Sequence, residues 1–263
     1  MIRFWQIGCG NMGGAMLDRW IGSGVLDPAD VTVIVRSTAD VPAGVTVAQQ
    51  LPGGPLPDIV MLAMKPHQIG DVAPAFADRG KLPLLVSILA GVEEQTLAER
   101  FDAAAIVRAM PNLPVRMGSG VVALASASAT ARQRREVADL MAPLGLIEWI
   151  EDVASFDLVT ALAGSGPGFV YRFIDALASA ATQLGLPAEQ AQRLALATVA
   201  GSAQLATAST MSPAVLADRV ASKGGSTRAG LDVLDADAAL CRLLATTLAA
   251  ARDRNAEMAA EAR

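Results

Sequence analysis

Ile2 to Ile7 alternates, reads as a buried strand and ends directly in Gly8-Cys9-Gly10-Asn11-Met12-Gly13, and Ala15, Met16, Leu17 and Trp20 then recur at helical spacing. No other feature narrows the possible folds as much as a strand that must turn into a helix on three glycines. The pattern G-x-G-x-x-G is weak by itself. Between a buried strand and an amphipathic helix it is a dinucleotide-binding fingerprint. The first glycine permits the turn, the second lets a pyrophosphate approach the backbone, and the third lets helix pack on strand. The expected fold class is therefore α/β, with a Rossmann-type sheet and Gly8, Cys9, Gly10, Asn11, Met12 and Gly13 lining the cofactor phosphates.

Further strands follow at the spacing this fold requires. The second, Val31 to Val35, ends in Arg36-Ser37-Thr38. A carboxylate there would hold the ribose hydroxyls of NAD. A guanidinium with two hydroxyls instead suits a 2′-phosphate, so Arg36 and Ser37 predict NADP(H). Val45 to Ala48 is a short third strand, and Asp58 to Ala63 a continuous apolar fourth that ends in Met64-Lys65-Pro66-His67. Ligands of open α/β sheets lie beyond the carboxyl ends of the strands. Ala63, Met64, Lys65 and Pro66 are accordingly expected beside the nicotinamide. His67 is the only histidine; with no carboxylate near it in sequence, a solvent-facing loop residue is the simpler expectation. Leu84 to Ile88, Ala105 to Ala109, Val121 to Leu124 and Leu146 to Ile150 complete the strands, with a charged helix at Thr130 to Met141. Two prolines hold the backbone around Asn112, as a site loop or a plain turn would require.

Beyond Asp152 the strand signals stop. Gly164-Ser165-Gly166-Pro167-Gly168 opens a helix through Leu184, and helices are expected at Ala188 to Thr207, Ala214 to Val220 and Ala236 to Ala262. The predicted organisation is a dinucleotide-binding domain over 1–155 and an all-helical domain over 156–263. Small residues at helical spacing (Ala176, Ala180, Gly201, Ala203) permit close helix contacts and favour self-association. Between the last two helices lies Ala221-Ser222-Lys223-Gly224-Gly225-Ser226-Thr227, a glycine-rich loop with a helix expected to begin near Thr227. Ser226 and Thr227 stand at an N-cap position, and free N–H groups at a helix start attract anions. The loop suits a carboxylate or phosphate, although an ordinary connection between helices would look similar. Ala229, Leu231 and Leu234 supply an apolar stripe for its helix to bury.

Composition removes several alternatives. Hydrophobic residues are 52% of the 263, yet no run of about 18 apolar residues appears, so no membrane span is expected. Net charge is −5, and the one basic cluster, Arg132 to Arg135, lies on a polar helix face, which gives nucleic-acid binding no support. Two cysteines, Cys9 and Cys241, without metal-ligand spacing, suggest a reducing cytoplasm and no metal site.

Six segments in chain order then carry a family resemblance: I-G-C-G-N-M-G-G-A-M (7–16), L-A-M-K-P-H (62–67), S-I-L-A-G-V (87–92), R-A-M-P-N-L-P (108–114), D-L-V-T-A-L-A-G-S-G-P-G-F (157–169) and A-S-K-G-G-S-T-R-A-G-L-D-V-L-D (221–235). The chain resembles the pyrroline-5-carboxylate reductases, which make the last reduction of proline synthesis, and the last segment is the specific one. Lys223 departs from a position that is often proline, Leu113 from the usual threonine, and Gln49-Gln50 from a cofactor-contacting asparagine. The resemblance implies an NADPH-binding Rossmann half and an intertwined helical half. The glycine loop would meet the cofactor of a partner chain. Val220, Gly224, Gly225, Ser226 and Thr227 would hold the substrate, with Thr227 at the ring nitrogen, and Asn112 would join the cofactor site. A protonated cyclic imine accepts hydride without a strong general acid, which matches the lack of an obvious one here. A β-hydroxyacid dehydrogenase would carry a catalytic lysine on the helix after Gly166, where this chain has none. A related imine reductase, or a regulator that binds NADP without turnover, stays open.

Overall fold

Eight short strands form one sheet in the order β3-β2-β1-β4-β5-β6-β7-β8. They are β1 (Phe4–Ile7), β2 (Val31–Ile34), β3 (Thr46–Ala48), β4 (Ile59–Leu62), β5 (Leu85–Ser87), β6 (Ile106–Pro111), β7 (Gly120–Ala125) and β8 (Gly145–Trp149). Each overlaps an expected strand, with ends that differ by one or two residues. All neighbours are parallel except β6 and β7, which pair antiparallel through Arg108–Ala125 to Pro111–Val122. This computed structural model describes residues 2–152 and 155–261, without the side chains of Met258, Ala259 and Glu261.

Strand alternation sorts the core into two layers, one on each face of the sheet. On β4, Ile59 and Met61 join Phe4, Met16, Leu17, Trp20, Val33 and Leu140 on one side. Val60 and Leu62 join Trp5, Ile7, Phe76, Leu85, Leu97 and Phe101 on the other. Parallel strands covered on both faces read as near-continuous apolar runs, as β4 does; β1 and β5 each carry one buried polar residue, Gln6 and Ser87. Burial of each large side chain contributes about 1.5–3 kcal/mol. Edge-to-face contacts lock the layers, Phe4 on Trp20 at 5.4 Å and Phe76 on Phe101 at 5.6 Å.

The helices follow their local signals. α1 (Asn11–Ser23) stops at Gly24, whose left-handed φ of 75° lets its N–H reach Ile21 and Trp20 carbonyls. α2 (Ile69–Val72) and α3 (Glu94–Ala98) are short; Phe101 is buried just beyond α3. α4 (Ala131–Met141) starts on a reciprocal cap: Thr130 Oγ1 accepts from Gln133 N–H, and Gln133 Oε1 accepts from Thr130 N–H. α5 (Phe156–Val159) runs into a π-helical turn, Thr160–Gly164.

The chain divides into two compact units, Met1–Ser165 with Ala250–Arg263, and Gly166–Ala249. The expected division at 155/156 thus falls inside the first unit, which keeps α5 and the π turn. It also takes in the end of the last helix, where Asn255 Nδ2 donates to the Asp157 carbonyl at 3.3 Å. The second unit is helical, with α6 (Gly166–Gln183), α7 (Ala188–Ala208), α8 (Pro213–Val220), α9 (Ser226–Asp235) and the start of α10 (Ala239–Glu261). The last helix begins three residues later than expected, after Asp237 and Ala238 take φ of 50° and 53°. The expected end at Ala262 lies outside the described residues.

Helix packing within the second unit uses small residues other than those expected to serve self-association. Ala178, Ala191 and Ala195 are buried between α6 and α7 with Ile174 and Ala181 against them. Ala176, Ala180, Gly201 and Ala203 face outward in the single chain. Sequence spacing identifies a small-residue face, and only the crossing of two helices selects which face is used.

Candidate active site

The first candidate half-site is the set of loops at the carboxyl ends of β1, β2 and β4. Gly8 has φ of 90°, and a methyl group placed on it would lie 2.7 Å from Met64 N and 2.8 Å from the Ala63 carbonyl. The fingerprint turn therefore presses against the end of β4, held by Ala63 N–H to the Ile7 carbonyl and Gly8 N–H to the Ile34 carbonyl, both 2.8 Å. Gly13 is crowded too, with Ala63 Cβ and Gln6 Nε2 each 3.0 Å from where its methyl would sit. Gly10 differs: nothing lies within 4 Å of such a methyl. It is also the N-cap of α1, without a side-chain cap and without an acidic residue in the first turn. Open space above uncapped N–H groups at a helix start is what an approaching pyrophosphate needs. The residues present fit a dinucleotide.

The structure thus brings Gly8, Cys9, Gly10, Asn11, Met12 and Gly13 together with Ala63 and Met64. Lys65 and Pro66 follow at once, in a turn where Gln68 Oε1 accepts from Lys65 N–H at 3.1 Å. His67 on that turn is exposed. Arg36 and Ser37 leave the end of β2 exposed. Arg36 is not isolated; its Nη2 donates to Asp71 Oδ2 on α2. Burial raises the Cys9 thiol above its usual range, and Asp18 and Asp40 push it the same way.

Asn112 occupies a different position, at the end of β6, two strands along the sheet from β4. It is buried, and both polar atoms of its side chain are engaged. Nδ2 donates to the Ala163 carbonyl at 2.9 Å, and Oδ1 accepts from Val121 N–H at 2.8 Å. The amide therefore clamps β7 and the π turn, where Ser165 N–H reaches back five residues to the Thr160 carbonyl. One amide hydrogen is left over from these two bonds.

Gln6 was missed in the sequence. It is fully buried in β1, its Nε2 donates to the Gly8 carbonyl at 2.9 Å, and its Oε1 is buried without a partner. An amide inside the run Phe-Trp-Gln-Ile was the available signal, since a buried amide needs a local task. Arg108 was also passed over: it is buried on β6 with its guanidinium 4.3 Å from the Phe156 ring centre. Burial lowers its affinity for the proton, opposed by Asp157, Glu93 and Glu94.

A second candidate half-site, the expected glycine loop, lies within the helical unit. Gly225 N–H donates to the Ser222 carbonyl at 2.9 Å, and Gly224 has φ of 72°. Residues Ser222 to Gly225 therefore make a type II β-turn, which needs glycine at its third position. A methyl on Gly225 would come within 2.7 Å of Ser222 Oγ. One expectation is corrected here: α9 begins at Ser226, its N-cap is Gly225, and no side chain caps it. Ser226 and Thr227 occupy the first two helical positions, with both side chains exposed. Their hydroxyls are consequently not spent on the helix. An ion pair, Arg228 Nη2 to Asp218 Oδ1 at 2.7 Å, ties α9 to α8 across the turn. Val220, the last residue of α8, is 66% exposed. Among the described residues no His, Cys, Asp and Glu side chains gather to hold a metal ion.

Comparison with known proteins follows the same two-part division. A family model for pyrroline-5-carboxylate reductase dimerisation matches residues 154–258. One for coenzyme F420-dependent NADP oxidoreductases matches residues 6–91. The chain is 37% identical over 205 residues to a pyrroline-5-carboxylate reductase of Pseudomonas aeruginosa, covering 77% of this chain and 75% of that one. It is 33% identical over 257 residues to one of Glycine max, covering 94% and 92%. The solved pyrroline-5-carboxylate reductase of Coxiella burnetii superposes with a TM-score of 0.86 at 31% identity over 98% of both chains. The Plasmodium falciparum pyrroline carboxylate reductase, solved with NADP bound, does so at 0.80 and 25% identity over 98% of both. The expected cofactor class is NADP, which the NADP-oxidoreductase model and the relative solved with NADP bound bear out; with these relatives, the chain belongs to the pyrroline-5-carboxylate reductase family.

Proposed function

We propose that the protein reduces 1-pyrroline-5-carboxylate to L-proline with NADPH. The observation that carries this is the open space over Gly10 at an uncapped helix start, combined with an uncapped glycine turn at Ser226. These are two anion-binding helix starts, one for a pyrophosphate and one for a carboxylate. When bound, NADPH supplies the hydride. The backbone N–H groups of α1 and of Gly10 hold the phosphates, Arg36 and Ser37 hold the 2′-phosphate, and Ala63 to Pro66 border the nicotinamide. The remaining amide hydrogen of Asn112 is available to the same ring.

In the helical unit, the N–H groups of Gly225, Ser226 and Thr227 orient the substrate carboxylate, with Gly224 and Val220 shaping the turn around it. The Thr227 hydroxyl accepts from the N–H of the protonated ring and so places the C=N carbon. Addition of hydride to that carbon turns the iminium into the secondary amine of proline, and the proton already on nitrogen stays there. No proton donor is required at the ring nitrogen, which fits a site without a positioned acid. Alignment alone can supply about 7–11 kcal/mol of the barrier.

Self-association is part of this proposal. The helical unit buries only Ala178, Ala191, Ala195 and Ala221 among its described residues, while Leu194, Leu196, Leu205, Val233 and Leu243 are each at least half exposed. The apolar stripe of α9 likewise has no buried residue. A second copy of this chain would cover these faces, as an intertwined dimer or a larger ring of such dimers. Light scattering that found a fully active monomer would exclude it. The assignment of 1–155 to the cofactor and 156–263 to substrate and association is proposed with it, as is a cytoplasmic setting, consistent with two unpaired cysteines. No described helix is long and apolar enough to cross a membrane. The direct test is loss of NADPH absorbance with pyrroline-5-carboxylate as substrate and proline identified as product. No turnover by a protein that binds NADPH normally would leave the non-catalytic alternative.

A further inference from the structure

The partner of Arg36 extends this proposal, on which the following inference rests. Arg36 leaves the end of β2, and Asp71 lies on α2, beyond the end of β4. In the sheet, β1 runs between those two strands. The guanidinium of Arg36 and the carboxylate of Asp71 thus meet across the carboxyl end of β1, at the point where the strand order reverses and ligands of such sheets bind. Both side chains are 66% exposed, so neither is held there by burial. Exposed ion pairs contribute little to stability.

We propose that Asp71 is a specificity-determining residue that sets how strongly the protein prefers NADPH over NADH, by competing with the 2′-phosphate for Arg36. Arg36 offers planar, forked donors, and a phosphate engages that fork best with two parallel bonds. One donor edge is already turned to Asp71. An arriving 2′-phosphate must displace the carboxylate or sit close to its like charge, and both weaken its binding. NADH, with a hydroxyl at that position, meets neither obstacle. Asp71 therefore lowers the discrimination that Arg36 creates.

Isothermal titration calorimetry of the full chain with NADPH and NADH tests this without turnover. Measurements on wild type, Asp71→Asn, Arg36→Ala and the double variant complete the cycle. Asp71→Asn is expected to tighten NADPH by about three- to tenfold, the range set by an exposed charge pair and one like-charge contact. NADH affinity should change by less than about twofold, and the gain for NADPH should largely vanish in the Arg36→Ala background. Unchanged NADPH affinity in Asp71→Asn would overturn the proposal, as would a loss, which would make Asp71 a brace for Arg36. Equal tightening of both cofactors would overturn it as well, since the effect would then not reach the 2′-position. If wild type shows no NADPH preference and Arg36→Ala changes neither cofactor, the assignment of Arg36 fails first. A clear, Arg36-dependent preference with a silent Asp71→Asn leaves that assignment standing and removes Asp71 alone.

Discussion

Two glycines of the fingerprint, two positions apart, should fail for different reasons. Gly8 combines φ of 90° with 2.7–2.8 Å separations from backbone atoms of Ala63 and Met64. Alanine there meets main chain just beyond the end of β4, so no side-chain movement relieves it. The methyl needs roughly 3.4 Å or more, so the turn or the end of β4 must move by about 0.6–0.7 Å. The backbone conformation alone costs about 1–2 kcal/mol. With displacement of the packed strand, the total for Gly8→Ala is about 2–4 kcal/mol. At about 2–4 °C per kcal/mol for a domain of this size, Tm should fall by roughly 5–15 °C. Gly10→Ala has ordinary φ of −78° and open space around its methyl. It should cost about 0.5–1 kcal/mol through the poorer N-cap, a Tm change of about 1–4 °C. Its methyl projects where the pyrophosphate would lie, so NADPH affinity should fall by about a hundredfold or more. Thermal unfolding without ligand and NADPH fluorescence titration separate the two effects. A Gly10→Ala protein with native NADPH affinity would refute the cofactor assignment of that space. A Gly8→Ala protein with unchanged Tm would refute the close contact with β4.

Thr227→Val should change stability by less than about 0.5 kcal/mol, because the hydroxyl does not cap α9. Its kcat/KM should nevertheless fall by about 5- to 150-fold with NADPH affinity intact, while Thr227→Ser keeps most activity; native-rate turnover by the valine variant would remove Thr227 from the mechanism. Lys223 is the second residue of the type II turn, a position suited to proline, and Lys223→Pro should stabilise the protein by about 0.4–1 kcal/mol, seen as a higher Tm. A lower Tm would mean that the backbone N–H or φ of Lys223 matters. Exposed Cys241 should react with a thiol reagent well before half-buried Cys9 at neutral pH. Burial raises the Cys9 thiol, so Cys9 stays protonated there, is modified only as pH rises beyond the ordinary thiol range, and weakens the fold as it ionises; mass mapping of early adducts on Cys9 would contradict this.

What could be read from the chain alone was everything with a local period or a local break. Apolar and alternating stretches located all eight strands, and glycines, prolines and helical spacing located the turns and long helices. The strand–glycine–helix succession at Gly8 to Gly13 and the turn at Gly224-Gly225 marked both half-sites, because each needs only neighbouring residues to form. The ends were less legible: periodicity did not separate Ser226 at the first helical position from an N-cap, since the two differ by one residue. Tertiary structure decided which distant groups meet. It paired Arg36 with Asp71, spent both ends of the Asn112 amide on Val121 and Ala163, and gave Gln6 the Gly8 carbonyl. It also chose Ala178, Ala191 and Ala195 over other alanines for the helix contact. Hydrophobic burial depends on spacing along the chain and is non-directional, so sequence carries it; hydrogen bonds and ion pairs depend on ångström-scale direction between remote residues, which exists only after the strands and helices have packed.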